Sequence, residues 1–299
     1  MKLNAPNTGM KNKILCYGEM LWDIFPDGAV PGGAPMNVAI GLKKLGSDVF
    51  ILSSCGKDEL GENLLEYLRE NDLSTEYVQQ SNYSTGAVNV HLSEKKDATY
   101  EIVFPSAWDY IHEPESIPEF DVLVYGSLSC RNITSFETLS SLLETEAFKV
   151  FDVNFRAPFI DQSVIEKLLI KSDLVKMNHE ELFQISAWNG LESEDLELAA
   201  DLVFKHYSLN MLCVTLGAEG AFLKTADEEL YQSGFPVKIQ DTVGAGDAFL
   251  AGFIHNYMRE KPLKEALEYA CLLGAWVASQ KGANPLFIVE NIKKLKQEF

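Results

Sequence analysis

Positive charge is scarce in this chain: 25 Lys and Arg stand against 44 Asp and Glu in 299 residues, a formal net charge of −19. That balance argues against nucleic acid or an anionic membrane as a partner. It also repels any phosphorylated ligand at long range, but cellular salt screens the field within about 8–10 Å, so local donors would have to dominate phosphate binding. No segment offers about 18 uninterrupted apolar residues, and Met1 to Lys13 lacks a basic stretch followed by an apolar one. Neither membrane insertion nor secretion is expected, and a cytoplasmic location is. Asn82-Tyr83-Ser84 and Asn132-Ile133-Thr134 match the glycosylation pattern and read as chance in that setting. The cysteines Cys16, Cys55, Cys130, Cys213 and Cys271 are scattered, odd in number and mostly set in apolar runs, which suits reduced core residues. The five histidines show no H-x-x-x-H or Cys/His spacing, so a dedicated transition-metal site is not expected. Tyr17-Gly18-Glu19-Met20 supplies one glycine where a dinucleotide fingerprint needs three, which argues against a nicotinamide oxidoreductase.

What the chain has in quantity is apolar residues, 46% of the total, enough for a large core. They fall into short runs separated by amphipathic segments. Residues 13–17, 49–52, 122–125, 150–153, 174–177 and 211–215 read as strands, and 36–45 and 60–69 as helices. Near-continuous apolar strands with helices between them predict an α/β fold: a mainly parallel central sheet covered by helices on both faces. Ligands of such sheets gather beyond the carboxyl ends of the strands. One region breaks the rhythm, with alternating Val88, Val90, Leu92 and Tyr100, Ile102, Phe104 about a polar turn at 93–98. With the short extended piece at 23–31, residues 87–110 are expected to form a small β-sheet lid, although an antiparallel edge of the main sheet has the same periodicity. Residues 13–299 are taken as one domain, and 1–12 are polar and expected to be disordered.

Chemistry is expected where an apolar stretch meets Asp241-Thr242-Val243-Gly244-Ala245-Gly246-Asp247 and passes into a helical pattern. Gly244 and Gly246 permit a sharp turn that aims the N–H groups of residues 244–247 at one spot, and the helix adds the positive end of its dipole. Asp247 places a carboxylate where an anion should bind, which suits a base that strips a hydroxyl before it attacks phosphorus. A helix dipole alone also favours Asp in a first turn. A second Gly-Gly turn opens a helix at Gly32-Gly33-Ala34-Pro35-Met36-Asn37, where Asn37 can donate to and accept from hydroxyls, and Asp23 can accept two more such bonds. In Asp152-Val153-Asn154-Phe155-Arg156, period-two spacing puts Asp152, Asn154 and Arg156 on one side if the strand continues. Asn178 and Glu181 fit a capping box at a helix start. Thr215-Leu216-Gly217-Ala218-Glu219-Gly220 fits a tight hairpin turn.

Together, the Gly32–Ala39 and Asp241–Phe249 stretches resemble the two signatures of the ribokinase-like (PfkB) sugar kinases, and Gly18-Glu19-Met20-Leu21-Trp22-Asp23 is most similar to fructokinases within that family. The likeness runs from Lys13 to about Pro285. It implies ATP-dependent phosphorylation of a free sugar's primary hydroxyl, fructose to fructose 6-phosphate first. Kinases of 2-keto-3-deoxygluconate, ribose or nucleosides are the alternatives, and a non-catalytic sensor is disfavoured by the intact Asp247 and Gly-Ala-Gly. It implies Asp247 as base, with Gly244, Ala245 and Gly246 as anion hole and Arg156 assisting. Asp23, Gly32, Gly33, Asn37, Asp152, Asn154 and Arg156 would then meet the sugar. Asn178, Thr215, Gly217, Gly220 and an apolar surface at Cys271 would meet ATP. Asn178 and Glu181 would hold Mg²⁺ through water, and Asp241 and Thr242, with Lys281-Gly282-Ala283, would form a loop for K⁺. Without Lys or Arg in the Gly32–Asn37 loop, a phosphorylated sugar is the weaker expectation. Lid sheets with one apolar face can pair, so a homodimer through the lid is a further expectation.

Overall fold

The computed structural model describes residues 12–92, 98–285, 291–292 and 295. The expectations of disorder over 1–11 and of a turn at 93–97 lie outside these residues. Nine strands form the large sheet, in the order Glu229–Ser233, Gly220–Thr225, Met211–Thr215, Leu174–Asn178, Phe148–Asp152, Val122–Gly126, Lys13–Tyr17, Asp48–Gly56, Val78–Ser81. The last seven are parallel, and the first two are added antiparallel at one edge. Successive residues of each strand feed opposite cores, as a two-residue period requires. Ile14 and Cys16 pack with the helices Ala34–Lys44, Glu59–Glu70, Ala245–Tyr257 and Leu263–Ala278 on one face. Leu15 and Tyr17 pack with Ile133–Leu143, Gln162–Lys171, His179–Trp188 and Leu196–His206 on the other. Burial on both sides is why the strands read as unbroken apolar runs. All five cysteines are free and buried in this packing. Among the described residues, no helix is long and apolar enough to cross a membrane.

The strand order reverses direction between Lys13–Tyr17 and Val122–Gly126: from the first, the chain proceeds toward one edge, and from the second toward the other. A crevice opens at the carboxyl ends of two such strands, where a sheet of this kind binds its ligands. Gly18 and Glu19 leave one strand there and Ser127 leaves the other.

A separate four-stranded sheet stands beside this edge, ordered Gly28–Gly32, Leu21–Phe25, Gly86–Leu92, Ala98–Ile102. It is mixed: Leu21–Phe25 pairs antiparallel with Gly28–Gly32 and parallel with Gly86–Leu92. The alternative of a plain antiparallel edge on the main sheet is thereby excluded. Val88 and Val90 are buried, whereas Tyr100 and Val30, which the register sets on the same face, are exposed, so only the middle of that face is covered. The chain returns to the body through 103–110, a stretch that continues past the last strand of this sheet. There Trp108 is fully buried in the second core.

A buried ion pair fixes that return. Arg131 Nε lies 2.6 Å from Asp109 Oδ1 and its Nη2 2.8 Å from Oδ2, with both side chains almost wholly out of solvent. The second oxygen of Asp109 also accepts Ser106 N, and Arg131 Nη2 donates to Val103 O. The guanidinium lies 3.8 Å from the Trp108 ring centroid, 4.4 Å from that of Phe159 and 5.0 Å from that of Phe104, so the cation is stabilised by three aromatic rings as well. Removing one partner strands a charge without solvent. Asp109→Ala is therefore expected to lower unfolding free energy by about 3–5 kcal/mol, read from urea unfolding curves.

Candidate functional site

Two loops far apart in the chain meet at the crevice. Gly33 precedes the Ala34–Lys44 helix with φ 114°, and a Cβ there would stand 2.5 Å from Glu19 O. Asn37, one turn into this helix, is buried and donates from Nδ2 to Asp247 Oδ2 at 2.8 Å. Its Oδ1 accepts Asn284 Nδ2 at 2.6 Å. Gly244 takes the left-handed conformation, φ 77°, immediately before the Ala245–Tyr257 helix, and a Cβ there would lie 2.6 Å from Ala283 Cα. The N–H groups of Gly244, Gly246 and Asp247 donate to nothing among the described residues. Ala245 N already donates to Thr242 O at 3.2 Å, so three of the four expected donors are open. Asp241 closes the loop: Oδ1 accepts Val243 N and Oδ2 accepts Gly282 N. Thr242 is exposed.

The remaining candidates lie along the same edge of the sheet. Asp152 ends its strand level with Lys176, and Asn178 and Thr215 end theirs in register with each other. The expected alignment of Asp152, Asn154 and Arg156 does not occur. The strand stops at Asp152, and Asn154 has φ 43°, which breaks the two-residue alternation. Arg156 is exposed, and its charge reaches Asp23, Glu19 and Asp247. Asn178 and Glu181 form a full capping box, Glu181 N to Asn178 Oδ1 and Asn178 N to Glu181 Oε2, and Glu181 Oε1 also accepts Phe155 N at 2.8 Å. Thr215 Oγ1 makes only a long contact of 3.4 Å with Met177 O. Gly217 and Gly220, at φ 59° and 114°, build the tight turn between two antiparallel strands. Cys271 is buried within the first core, which leaves its thiol, pushed up to about 12 by burial, little surface for a ligand.

Carboxylates crowd this edge. Burial raises the Asp247 carboxyl to about 6, helped by the charge of Asp152 and opposed by the Asn37 bond, Lys176 and Arg156. Asp247 nonetheless keeps part of its surface open to solvent. Asp23 is raised to about 6 by burial against the pull of Arg156, and Gly32 leaves room for its carboxylate, since a Cβ there would stand 2.6 Å from Asp23 Oδ2. Glu19 is raised to about 7, again chiefly by burial.

Lys176 and Glu19 were missed by sequence reasoning. Lys176 Nζ pairs with Asp152 Oδ1 at 2.9 Å inside the protein and lies beside the Gly244–Asp247 turn, 3.3 Å from where a Gly246 Cβ would stand. Burial pushes its ammonium down, but Asp152, Glu181 and Asp247 more than reverse that and hold it above the usual lysine value. A lysine inside the apolar strand Leu174–Asn178 was the available signal. Glu19 lay within the Gly18–Asp23 stretch that resembles fructokinases, but only as a polar residue after a strand, with no role attached to it.

The profile of the pfkB family carbohydrate kinases matches residues 13–288. A probable fructokinase-4 of Arabidopsis thaliana is 30% identical over 96% of this chain and 97% of its own. An ATP-dependent 6-phosphofructokinase of Thermoanaerobacterium thermosaccharolyticum is 28% identical over 84% and 80%. The crystal structure of a fructokinase from Xylella fastidiosa with bound ATP superposes with a TM-score of 0.86 at 23% identity, covering 97% of this chain and 99% of that one. The last shows that the fold is shared.

The two glycines of the first loop carry different constraints. Gly33→Ala meets backbone at a positive φ and is expected to cost at least about 1–3 kcal/mol. Gly32→Ala meets only the Asp23 side chain, which can turn away, and is expected to cost less. Paired urea melts check the order.

Proposed function

The chain belongs to the pfkB family of carbohydrate kinases, and from that premise we propose that it transfers the γ-phosphoryl group of ATP to the primary hydroxyl of fructose, giving fructose 6-phosphate and ADP. The observation that carries the reading is the Asp247 carboxylate, bonded by Asn37 and set beside the open N–H groups of Gly244, Gly246 and its own backbone. In the step, Asp247 accepts the hydroxyl proton as the new O–P bond forms and the bond from phosphorus to the ADP oxygen breaks. The open N–H groups, the helix N-terminus and the Lys176 charge beside Gly246 stabilise the equatorial oxygens of the moving group. Arg156 adds a cation at the mouth. Asp23 and Asn37 hold sugar hydroxyls, with Gly32 and Gly33 leaving space for them, and Asp152 and Asn154 border the same crevice. The small sheet acts as the lid, excluding water from the transfer.

Asn178 and Glu181 fit a hydrated Mg²⁺ better than a directly bound one, because their side-chain oxygens already accept backbone N–H groups and keep only their second lone pairs for its waters. Bound there, Mg²⁺ would offset triphosphate charge. The turn at Thr215, Gly217 and Gly220 borders the nucleotide, and the loop tied by Asp241 to Gly282 is the place for K⁺.

Fructose is favoured by the likeness to fructokinases. Fructose 6-phosphate is the second reading, favoured by the phosphofructokinase relative and by exposed Arg156, although the Gly32–Asn37 loop holds no cation. A coupled ADP-release screen over fructose, fructose 6-phosphate, 2-keto-3-deoxygluconate, ribose and nucleosides decides. A preference above about tenfold for any rival, equal to about 1.4 kcal/mol, replaces fructose.

Asp247→Ala is expected to lower kcat by at least about 10² with sugar affinity kept, and near-normal turnover would remove Asp247 from the role. The base works only when ionised. With its carboxyl raised to about 6, kcat/KM should fall with decreasing pH from about 6, well above the ordinary Asp value of about 3.9. Asp152→Asn removes a charge that raises Asp247, so its profile should shift to lower pH. A pH–rate series on both proteins measures this.

A further inference from the structure

Asn37 is enclosed, at 6% exposure, and both ends of its amide are engaged. An ionised carboxylate only accepts hydrogen bonds, so the NH₂ end of Asn37 must face Asp247. Its carbonyl end then faces Asn284, and Asn284 must present its own NH₂ there, at 2.6 Å. The three side chains form one directed chain of donors ending on the carboxylate. If Asn37 turned over, its Oδ1 would face Asp247 with no proton between two acceptors.

Asn284 is held firmly enough to set that direction. Lys44 Nζ donates to Asn284 O at 2.8 Å and to Pro285 O at 3.2 Å, clamping the segment to the helix that carries Asn37. On the other side, Ala283 packs against Gly244 so closely that no Cβ would fit between them, and Gly282 N donates to Asp241. The segment therefore touches both loops that build the site, and Asn284 is the residue whose side chain reaches into it. Nothing in its local sequence, Lys281-Gly282-Ala283-Asn284-Pro285, signals this, because the segment follows the last long helix and has no periodicity of its own.

We propose that Asn284 is a positioning residue: its side-chain amide fixes which way the Asn37 amide points, and so keeps a hydrogen-bond donor on Asp247. The inference rests on Asp247 being the base. Its consequence is that the third loop tunes the reaction without touching sugar or nucleotide.

The test uses Asn284→Asp, Asn284→Ala and Asn284→Ser, each alone and combined with Asn37→Ala, assayed on whichever sugar the wild-type protein phosphorylates. Asp at 284 offers Asn37 only acceptors, so the amide loses the donor that fixed its direction and no longer keeps its NH₂ on Asp247. The variant's kcat should fall at least about tenfold with KM for ATP within about twofold, the split expected when a transition-state contact is lost. Ser can still donate and should recover most of the loss relative to Ala. In the Asn37→Ala background each 284 substitution should add less than about twofold, because residues acting through one another are not additive. Equal factors in both backgrounds, or an unchanged kcat in Asn284→Asp, overturn the proposal. Thermal melts accompany each protein. Should Asn284→Asp fail to fold, the Ala and Ser pair decides by the same ratio. Asp247→Ala run alongside separates the two ideas: activity surviving in it sinks the base and this proposal together, while a dead Asp247→Ala beside an indifferent Asn284 series sinks only this one.

Discussion

One hydrogen bond, from Asn37 to Asp247 across 210 residues of chain, holds the two glycine turns face to face. Each turn opens a helix, and the two helices pack on the same side of the large sheet. That shared packing brings the first turn of one against the first turn of the other. With both N-termini aimed at the crevice, the partial positive charges of two helix dipoles converge on a place where buried carboxylates outnumber the one buried cation beside them, Lys176. A phosphorylated ligand entering there meets backbone donors before it meets the protein's net charge.

The acidity of the chain and the chemistry of the site are separate matters. Most of the 44 acidic side chains are surface charge that salt screens. Asp247, Glu19 and Glu181 differ, because burial raises the cost of ionising them and the charge of Asp152 beside them adds to it. Lys176 makes this arrangement tolerable. It sits inside the sheet, bonded to Asp152 and beside Gly246. A buried ammonium is costly by itself, as are the carboxylates around it, and each offsets the penalty of the other. The Asp247 carboxyl beside it is raised to about 6, chiefly by burial, with Lys176 pulling against the rise.

Parts of this were legible beforehand. Strand positions followed from apolar runs, since burial on both faces leaves no room for polar residues, and the glycine turns announced themselves because Gly33 and Gly244 have conformations or neighbours that a side chain would not tolerate. The stretch after Asp152 misled. A two-residue period was extended past the strand's end, and Asn154 turned into the left-handed region instead. The small sheet's parallel pairing, Leu21–Phe25 with Gly86–Leu92, was also out of reach, because alternation shows which residues share a face and says nothing about which strand lies alongside.

Local chemistry thus determined the elements, the loops and the side chains able to carry charge or hydrogen bonds, since these depend on a few neighbouring residues. What tertiary structure alone decided was which of them meet. Lys176 beside Gly246, Asn284 behind Asn37, and the Arg131–Asp109 clamp are contacts between distant segments. They exist because the sheet order and the packing of helices on its faces bring those segments to one edge, and one segment's composition carries no record of its neighbour's.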